Sequence, residues 1–291
     1  MNTSRKSIVV MALLGLTATS GAQPTTGPSP APSSADKPDA KPQPGASATT
    51  KPPEKPPAIE PEAISALEKM GAFLRDQQSF TVRTTTQTDQ VLESGQKIRL
   101  SANADIRVRR PDRLRADVIS DRKQRQFFYD GKTLTLNGQR VGYYAIVPAP
   151  PTLGELAEAI EDRYGLELPL VDLFYWGTDK ANLAQIETAI YVGPSKIGGV
   201  DTDQYAFRQP GLDWQLWIQR GDRPLPRKLV LTTTDDPARP EHAIEMAWDL
   251  AVEHPASLFT FVPPKGSHRI ELVETPQRSA APTKAKRQPT R

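Results

Sequence analysis

The residues in this sequence that could do chemistry are few, and their spacing limits what that chemistry is. There are three histidines, His242, His254 and His268, and no cysteine. His242-Ala243-Ile244-Glu245 has the His-x-x-Glu spacing that would bring two metal ligands together on a helix. Its neighbours Ile244, Met246 and Trp248 alternate as in a strand, which sends His242 and Glu245 to opposite faces. No metal or other cofactor is therefore expected. A serine nucleophile of the hydrolase type needs a Gly-x-Ser-x-Gly elbow, and phosphate or dinucleotide sites need glycine-rich loops; neither pattern occurs. The acidic residues are scattered, mostly beside turns, where Asp is explained by backbone hydrogen bonding. Arg110-Pro111-Asp112-Arg113 concentrates charge and reads as a turn with an ion pair. No catalytic residue is assigned, and the protein reads as non-enzymatic. What remains is apolar: Phe80, Phe127, Tyr129, Tyr143, Trp214, Trp217, Trp248, Phe259 and Phe261. Their chemistry is burial, as sheet core or as the wall of an apolar pocket.

Strands must position most of these rings. The densest stretch, Tyr205 to Leu231, reads as three strands joined by turns at Gln209-Pro210-Gly211 and Gly221-Asp222-Arg223-Pro224. Trp214, Leu216 and Ile218 share one face of the middle strand, and Gln215, Trp217 and Gln219 the other. Earlier, Pro61 opens a helix with Ile64, Leu67, Met70 and Phe73/Leu74 at helical spacing, ending near Asp76. Strands follow at Phe80–Gln90, Lys97–Arg109 (expected to be bulged or bent, on an apolar phase read as imperfect), Arg113–Val118, Gln126–Tyr129, Lys132–Leu136 and Val141–Val147. Asp130-Gly131 and Asn137-Gly138 are read as two-residue hairpin turns. Thr152-Leu153-Gly154-Glu155 is a capping box opening a helix along Leu153, Leu156, Ile160 and Tyr164, which Gly165 ends. An apolar patch at Leu166–Gly177 and a possible short helix at Asp179–Gln185 precede strands at Glu187–Val192, Tyr205–Leu231, Ala243–Val252, Phe259–Val262 and Arg269–Leu272. About a dozen short-spaced strands with two or three helices set apart indicate a mainly β, antiparallel α+β domain with helices on one face.

The ends set the compartment. Arg5 and Lys6, the apolar run Ile8–Leu16 and the small residues Ser20-Gly21-Ala22 have the form of a cleavable secretory signal, residues 1–22. No later stretch reaches transmembrane length, so the mature chain is expected in the periplasm. Residues 23–61 hold twelve of the 29 prolines and read as an extended, disordered linker. The net charge of +3 is a property of the tails. Residues 1–61 carry 6 basic and 4 acidic groups, and the tail 275–291 carries 5 and 0, leaving 26 basic against 30 acidic in residues 62–274. A slightly acidic domain lacks the basic footprint of a nucleic-acid binder.

Several short motifs carry a resemblance. They are Arg110-Pro111-Asp112-Arg113-Leu114, Tyr129-Asp130-Gly131-Lys132, Leu168-Pro169-Leu170-Val171-Asp172-Leu173, Ala206-Phe207-Arg208, Asp213-Trp214-Gln215-Leu216-Trp217-Ile218, Pro224-Leu225-Pro226-Arg227-Lys228 and Phe259 to Pro264. In this order they resemble a bacterial family of predicted periplasmic proteins carrying a domain of unknown function. That family is in turn similar to the lipoprotein-carrier superfamily of LolA, LolB and LppX-like proteins. The family often has His two residues before Ala-Phe-Arg; Gln204 stands there here, and no role is carried over. The resemblance implies a strongly curved antiparallel sheet forming a half-open barrel, with helices capping an apolar cavity on its concave face.

On its own the aromatic set reads as ordinary sheet core; the resemblance turns it towards a pocket wall. The expected lining is then Phe80, Leu134, Leu136, Tyr143, Trp214, Leu216, Ile218, Leu229 and Leu231, with Leu153, Leu156 and Ile160 under a helical lid. Trp217 is expected on the opposite face. The leading expectation is a carrier or binding protein for a lipid or lipidated protein. A protein-interaction module with a filled barrel, tethered to an envelope partner by the proline-rich arm, and an envelope hydrolase are the alternatives.

Overall fold

Residues 58–166, 168–169 and 183–274 are described by a computed structural model. The expected signal segment, the proline-rich segment up to residue 57, the basic tail and most of the Leu166–Gly177 patch lie outside them.

Helix α1 spans Pro61–Asp76 and starts where the sequence places it, with proline in its first turn and Glu62 at its positive end. Its buried stripe is Ala63, Leu67, Met70 and Leu74. Six strands follow: β1 Ser79–Val91, β2 Lys97–Arg109, β3 Arg113–Ser120, β4 Gln124–Tyr129, β5 Thr133–Gly138 and β6 Tyr143–Pro148. Helix α2, Leu153–Tyr164, intervenes. Then come β7 Thr188–Ile197, β8 Val200–Gln209, β9 Leu212–Gln219, β10 Pro226–Thr233, β11 Glu241–Asp249 and the two-residue β12, His268–Arg269. Both caps of α2 are as the sequence specifies. Thr152 Oγ1 accepts from the Glu155 N–H and donates to the Glu155 carboxylate, while Gly165 adopts a left-handed conformation at φ 58 and its N–H returns to Glu161 O.

The twelve strands form one open sheet in the order β12-β6-β5-β4-β3-β2-β1-β11-β10-β9-β8-β7. Two meanders build it. β1 to β6 run outwards from the middle to one edge; β7 then starts at the far edge, and β8 to β11 return until β11 pairs with β1. Every pairing is antiparallel except β12 with β6. The chain leaves the sheet at β6, beside one edge, and re-enters at β7 on the other, with α2 between them in sequence.

Four local expectations need correction. β2 carries no bulge: it pairs with β1 without interruption from Ser79↔Arg109 to Val91↔Lys97. Its apolar phase is regular, since Ile98, Leu100, Ala102, Ala104, Ile106 and Val108 all share one side. Asn137-Gly138 is strand rather than turn; the reversal comes at residues 139–142, with Gly142 at φ 69. Asn137 is held in the sheet by donating to Gln126 Oε1 at 2.9 Å. Phe259–Val262 is not a strand but a 3-10 turn, Ala256–Phe259, running into extended chain. Pro255, Pro263 and Pro264 flank it and remove ladder donors. Finally, residues 58–60, read from sequence as linker, pair with β7. The Glu60 N–H donates to Ala189 O at 2.8 Å and the Ala189 N–H to Ala58 O at 2.9 Å. Both sheet edges are thus covered by short segments, a common protection against edge-to-edge association.

The registers define two unlike faces. On one, the buried residues of β1 to β11 join those of α1 and α2 in a single hydrophobic cluster. The other is polar. Across β2 to β5 it carries Asp105, Asp117, Gln126 and Asn137 in one row, with Arg107 and Arg115 beside them. Asp117 accepts from Arg107 Nη1 at 2.8 Å, Arg115 Nε at 3.0 Å and Gln126 Nε2 at 2.6 Å. Burial raises its pKa, but these donors outweigh that and hold the carboxyl below its ordinary range. The C-terminal segment crosses this polar face. His254 lies against Thr81 Oγ1 and Phe80 O at 3.2 Å, Arg109 caps the Phe259 ring, and Phe261 packs on Phe128 and Tyr144. Phe259 and Phe261 therefore stand on the opposite side of the sheet from Phe80 and Phe127.

Candidate functional site

The apolar face is legible row by row from the strand registers. One row runs Ala145, Leu136, Phe127, Ala116, Ile106, Val82 and Trp248 from β6 to β11. A second runs Tyr191, Tyr205, Leu216, Leu229, Ile244, Thr86 and Ala102 from β7 to β2. A third runs Ala189, Phe207, Trp214, Leu231, His242, Thr88 and Leu100. The three meet β1 at positions 82, 86 and 88, which point the same way because side chains alternate along a strand.

All nine sheet residues expected to line a cavity project from this face. Phe80, Leu134 and Leu216 are at most 1% exposed, and Ile218, Leu229 and Leu231 are also buried. Leu136 and Trp214 are half-buried. Tyr143 shares the face but not the burial: it is 45% exposed at the sheet edge, beside the His268 ring. Leu153, Leu156 and Ile160 of α2 are buried in the same cluster. Trp217 lies on the opposite face, where Lys228 sits over its ring and reaches Glu245 at 2.9 Å. Trp214 stacks on Phe207, ring centroids 4.0 Å apart.

Polar groups interrupt the apolar face down β1, at Thr84, Thr86, Thr88 and Gln90, and at His242 across from it. His242 and Glu245 point to opposite faces, so they do not form a ligand pair, and among the described residues no group of three His, Asp or Glu is placed to hold a metal. His242 instead faces the core at 7% exposure, with Thr88 Oγ1 2.8 Å from its Nδ1. Burial pushes its pKa down, so the ring is neutral at neutral pH. Among the described residues, His242 Nε2, Trp214 Nε1 and Gln90 Oε1 are buried without a hydrogen-bond partner. Gln90 belongs to the same face, two residues beyond Thr88. Trp248, by contrast, donates its Nε1–H to Pro226 O at 2.7 Å. His242 alternates in register with Ile244, Met246 and Trp248, the strand phase that the sequence itself shows; its Thr88 partner and its unpaired Nε2 depend on cross-strand neighbours that the phase does not give.

Two of the short motifs converge on one corner with a structural task. Arg110 Nε donates to Gln77 O at the end of α1, and Arg113 pairs with Asp112 and reaches Asp130 O. Asp130 Oδ1 accepts from the N–H groups of Lys132 and Thr133. The Tyr129 hydroxyl donates to Pro150 O at 2.5 Å; burial first, then Asp112 and Glu155, pushes its pKa up to about 12, so it stays a donor. The Leu153 N–H donates to Pro111 O. The corner thus ties the β2–β3 turn to α1, to the β4–β5 loop and to the start of α2.

Among the described residues, no helix is long and apolar enough to cross a membrane. The fold is similar to the crystal structure of LprF from Mycobacterium bovis, at 17% identity over 68% of this chain and 98% of that one, with a TM-score of 0.43. It is also similar to lipoprotein LppX from Mycobacterium tuberculosis, at 14% identity over 67% and 98% of the two chains and a TM-score of 0.41. A third likeness is to the Pseudomonas aeruginosa MucA/MucB complex, at 14% identity over 69% and 61%, with a TM-score of 0.39. No curated protein matches the sequence. A family model does match, over residues 63–273, and the chain belongs to that family, described as predicted periplasmic protein (DUF2092).

Proposed function

We propose that this protein is a non-enzymatic periplasmic binding protein that holds the acyl chain of a lipid or lipidated protein between its apolar face and α2. The observation that supports this reading is the continuity of the apolar face, whose rows cross from β7 to β6 and which α1 and α2 alone, among the described helices of more than one turn, share. An acyl chain gains about 0.8 kcal/mol for each CH₂ removed from water, so eight methylenes supply roughly 6 kcal/mol. The lining is buried by the chain itself, so entry requires α2 to lift from the sheet and expose Leu153, Leu156 and Ile160 together. Lipid mass spectrometry of protein purified from envelope extract, with uptake of a fluorescent fatty acid, tests the proposal. Co-purified lipid and saturable uptake are expected; a lipid-free preparation that takes up no probe overturns it.

The near-complete burial of Phe80, Leu134 and Leu216 favours a second reading, in which the interior stays filled and the chain docks an envelope protein. Crosslinking separates the two. A protein adduct that is lost on deleting residues 23–57, with no bound lipid, selects the second; the deletion spares residues 58–60 because they pair with β7.

A further inference from the structure

The polar interruption of the apolar face bears on which acyl ligand fits, and the inference rests on the acyl-binding reading above. His242 and Trp214 lie in one cross-strand row, on β11 and β9, with Leu231 between them. Two strand spacings put their backbones about 10 Å apart. Both carry a buried ring nitrogen with no hydrogen-bond partner among the described residues. An indole N–H is only a donor. For His242, Nδ1 lies 2.8 Å from the Thr88 hydroxyl, which can donate or accept; in the tautomer in which the hydroxyl donates, the ring proton sits on Nε2 and that nitrogen is a donor too. An unpaired buried donor is destabilising, so two in one row are conspicuous beside Trp248 and Tyr129, whose donors find partners on the same face; the third unpaired atom of the face, Gln90 Oε1, lies in the next row.

The surroundings select the acceptor. The row is Phe207, Trp214, Leu231, His242, Thr88 and Leu100, and the adjacent row is Tyr205, Leu216, Leu229, Ile244, Thr86 and Ala102. On the other side lie Leu212, Thr233, Gln90 and Ile98. None of these is Lys, Arg, Asp or Glu. Without a cation in the rows, a phosphate or carboxylate would be buried without a counter-charge, which is strongly unfavourable. A neutral carbonyl oxygen meets neutral donors at no such penalty.

We infer that Trp214 Nε1–H and His242 Nε2–H form a carbonyl-recognition site within the acyl-binding face, selecting ligands whose chains are joined through ester carbonyls, such as a diacylglycerol moiety, over free fatty acids and plain hydrocarbon. Two carbonyls separated by a glycerol backbone offer one acceptor to each donor.

The test compares a fluorescent diacylglycerol with its dialkyl ether analogue, which keeps the chains, the fluorophore and the free hydroxyl but lacks both carbonyls. The full-length protein is expected to bind the diester about 10-fold or more tightly than the diether, each hydrogen bond contributing about 2- to 10-fold. Trp214→Phe, which keeps a ring against Phe207, and His242→Leu should each remove about half of that preference on a logarithmic scale, read as the ratio of diester to diether affinity within each variant. In the unsubstituted protein, the Trp214 indole N–H resonance should move downfield with the diester and not with the diether; this readout stands if a variant fails to fold. Equal affinity for the two lipids, or a Trp214 resonance indifferent to the diester, overturns the carbonyl site and leaves acyl binding intact. Failure of both lipids to bind removes the acyl-binding reading itself.

Discussion

The acyl-binding proposal depends on α2 leaving the sheet while the sheet survives, and Leu156→Ala puts that to measurement. Leu156 is 0% exposed and lies mid-stripe between Leu153 and Ile160. Truncating a fully buried leucine costs about 2–5 kcal/mol. At 1.4 kcal/mol per decade, docking of α2 should weaken by about 30-fold at the low end and more than 1,000-fold at the high end. The contrast with β1 makes the prediction sharp. β1 is hydrogen-bonded on both sides, to β2 from Ser79 to Val91 and to β11 from Thr81 to Thr88. α2 is held by its apolar stripe, by its capping box and by the Leu153 N–H bond to Pro111 O. Native-state hydrogen exchange reads both elements in one experiment. In the unsubstituted protein, the amides of residues 157–164 should exchange through an opening of lower free energy than those of Phe80–Thr86. In Leu156→Ala they should exchange at least about 30-fold faster, with β-sheet circular dichroism retained and a faster off-rate for a bound acyl probe. If α2 and β1 amides share one protection level in both proteins, α2 opens only when the whole sheet unfolds, and the reasoning that makes it a lid is refuted.

Three further predictions concern the groups that set the two faces. His242 has a pKa held below its unfolded value, so the unfolded state binds the proton more readily. Its contribution to stability is complete above about pH 6.5 and is lost as pH falls towards the folded pKa, with a slope of at most about 1.4 kcal/mol per pH unit. Urea midpoints at pH 7.5 and 5.5 should show this drop, and the drop should be smaller in His242→Leu; identical pH profiles would show that the ring does not titrate out of a buried neutral state. Asp117→Asn leaves Arg107 and Arg115 facing a neutral amide, and the side chain is only 23% exposed, so a loss of about 1–3 kcal/mol is expected in urea unfolding; no change would mean that the ladder is screened. Gly131→Ala combines φ +84 with a Cβ that would lie 2.6 Å from Arg113 Nη1 and 2.7 Å from Asp112 Oδ2, so destabilisation of at least about 1–2 kcal/mol should appear in the thermal midpoint; a neutral result would show that the corner relaxes freely.

Local signals in the sequence transferred well, because the physics behind them is local. Pro61 and the Leu67, Met70 and Leu74 stripe locate α1, and Thr152, Glu155 and Gly165 locate both ends of α2. Strand alternation also sorts Trp214 from Trp217, three residues apart, onto opposite faces. The misses have non-local causes. Asn137-Gly138 has turn chemistry, but the Asn137 amide finds Gln126 on the next strand and the reversal moves on to residues 139–142. Phe259 to Val262 has strand composition, yet its rings cover Phe128 and Tyr144 from outside the sheet. The β1–β11 pairing, which closes two meanders into one sheet, joins segments about 160 residues apart, and no short window of sequence carries that register. Missing partners at His242 and Trp214 belong to the same class: a strand pattern says which way a side chain points, not what it meets there.

The two faces use opposite means, and their contrast gives the polar notch its meaning. The outer face resolves its charges locally: Asp117 is answered by two arginines and a glutamine, and Asp89 by Arg99 and Lys97. Such a ladder fixes register, because slipping a strand by one residue would move every one of those side chains to the other face. The inner face needs no such device, since apolar side chains pack without directional partners. A histidine, threonines and an indole N–H on that face therefore add nothing to packing that leucine or phenylalanine would not, and each unpaired donor costs about 1–3 kcal/mol. Departures of this kind from a locally consistent pattern are expected where a chain gives up stability for a task. Here the departure runs down β1 at Thr84, Thr86, Thr88 and Gln90 and across the row through Trp214, Leu231 and His242, while the row of Val82, Ile106, Ala116 and Leu136 remains wholly apolar. On the proposed reading, the acyl chain lies along the apolar rows and the carbonyls at its head meet the polar notch at Trp214 and His242.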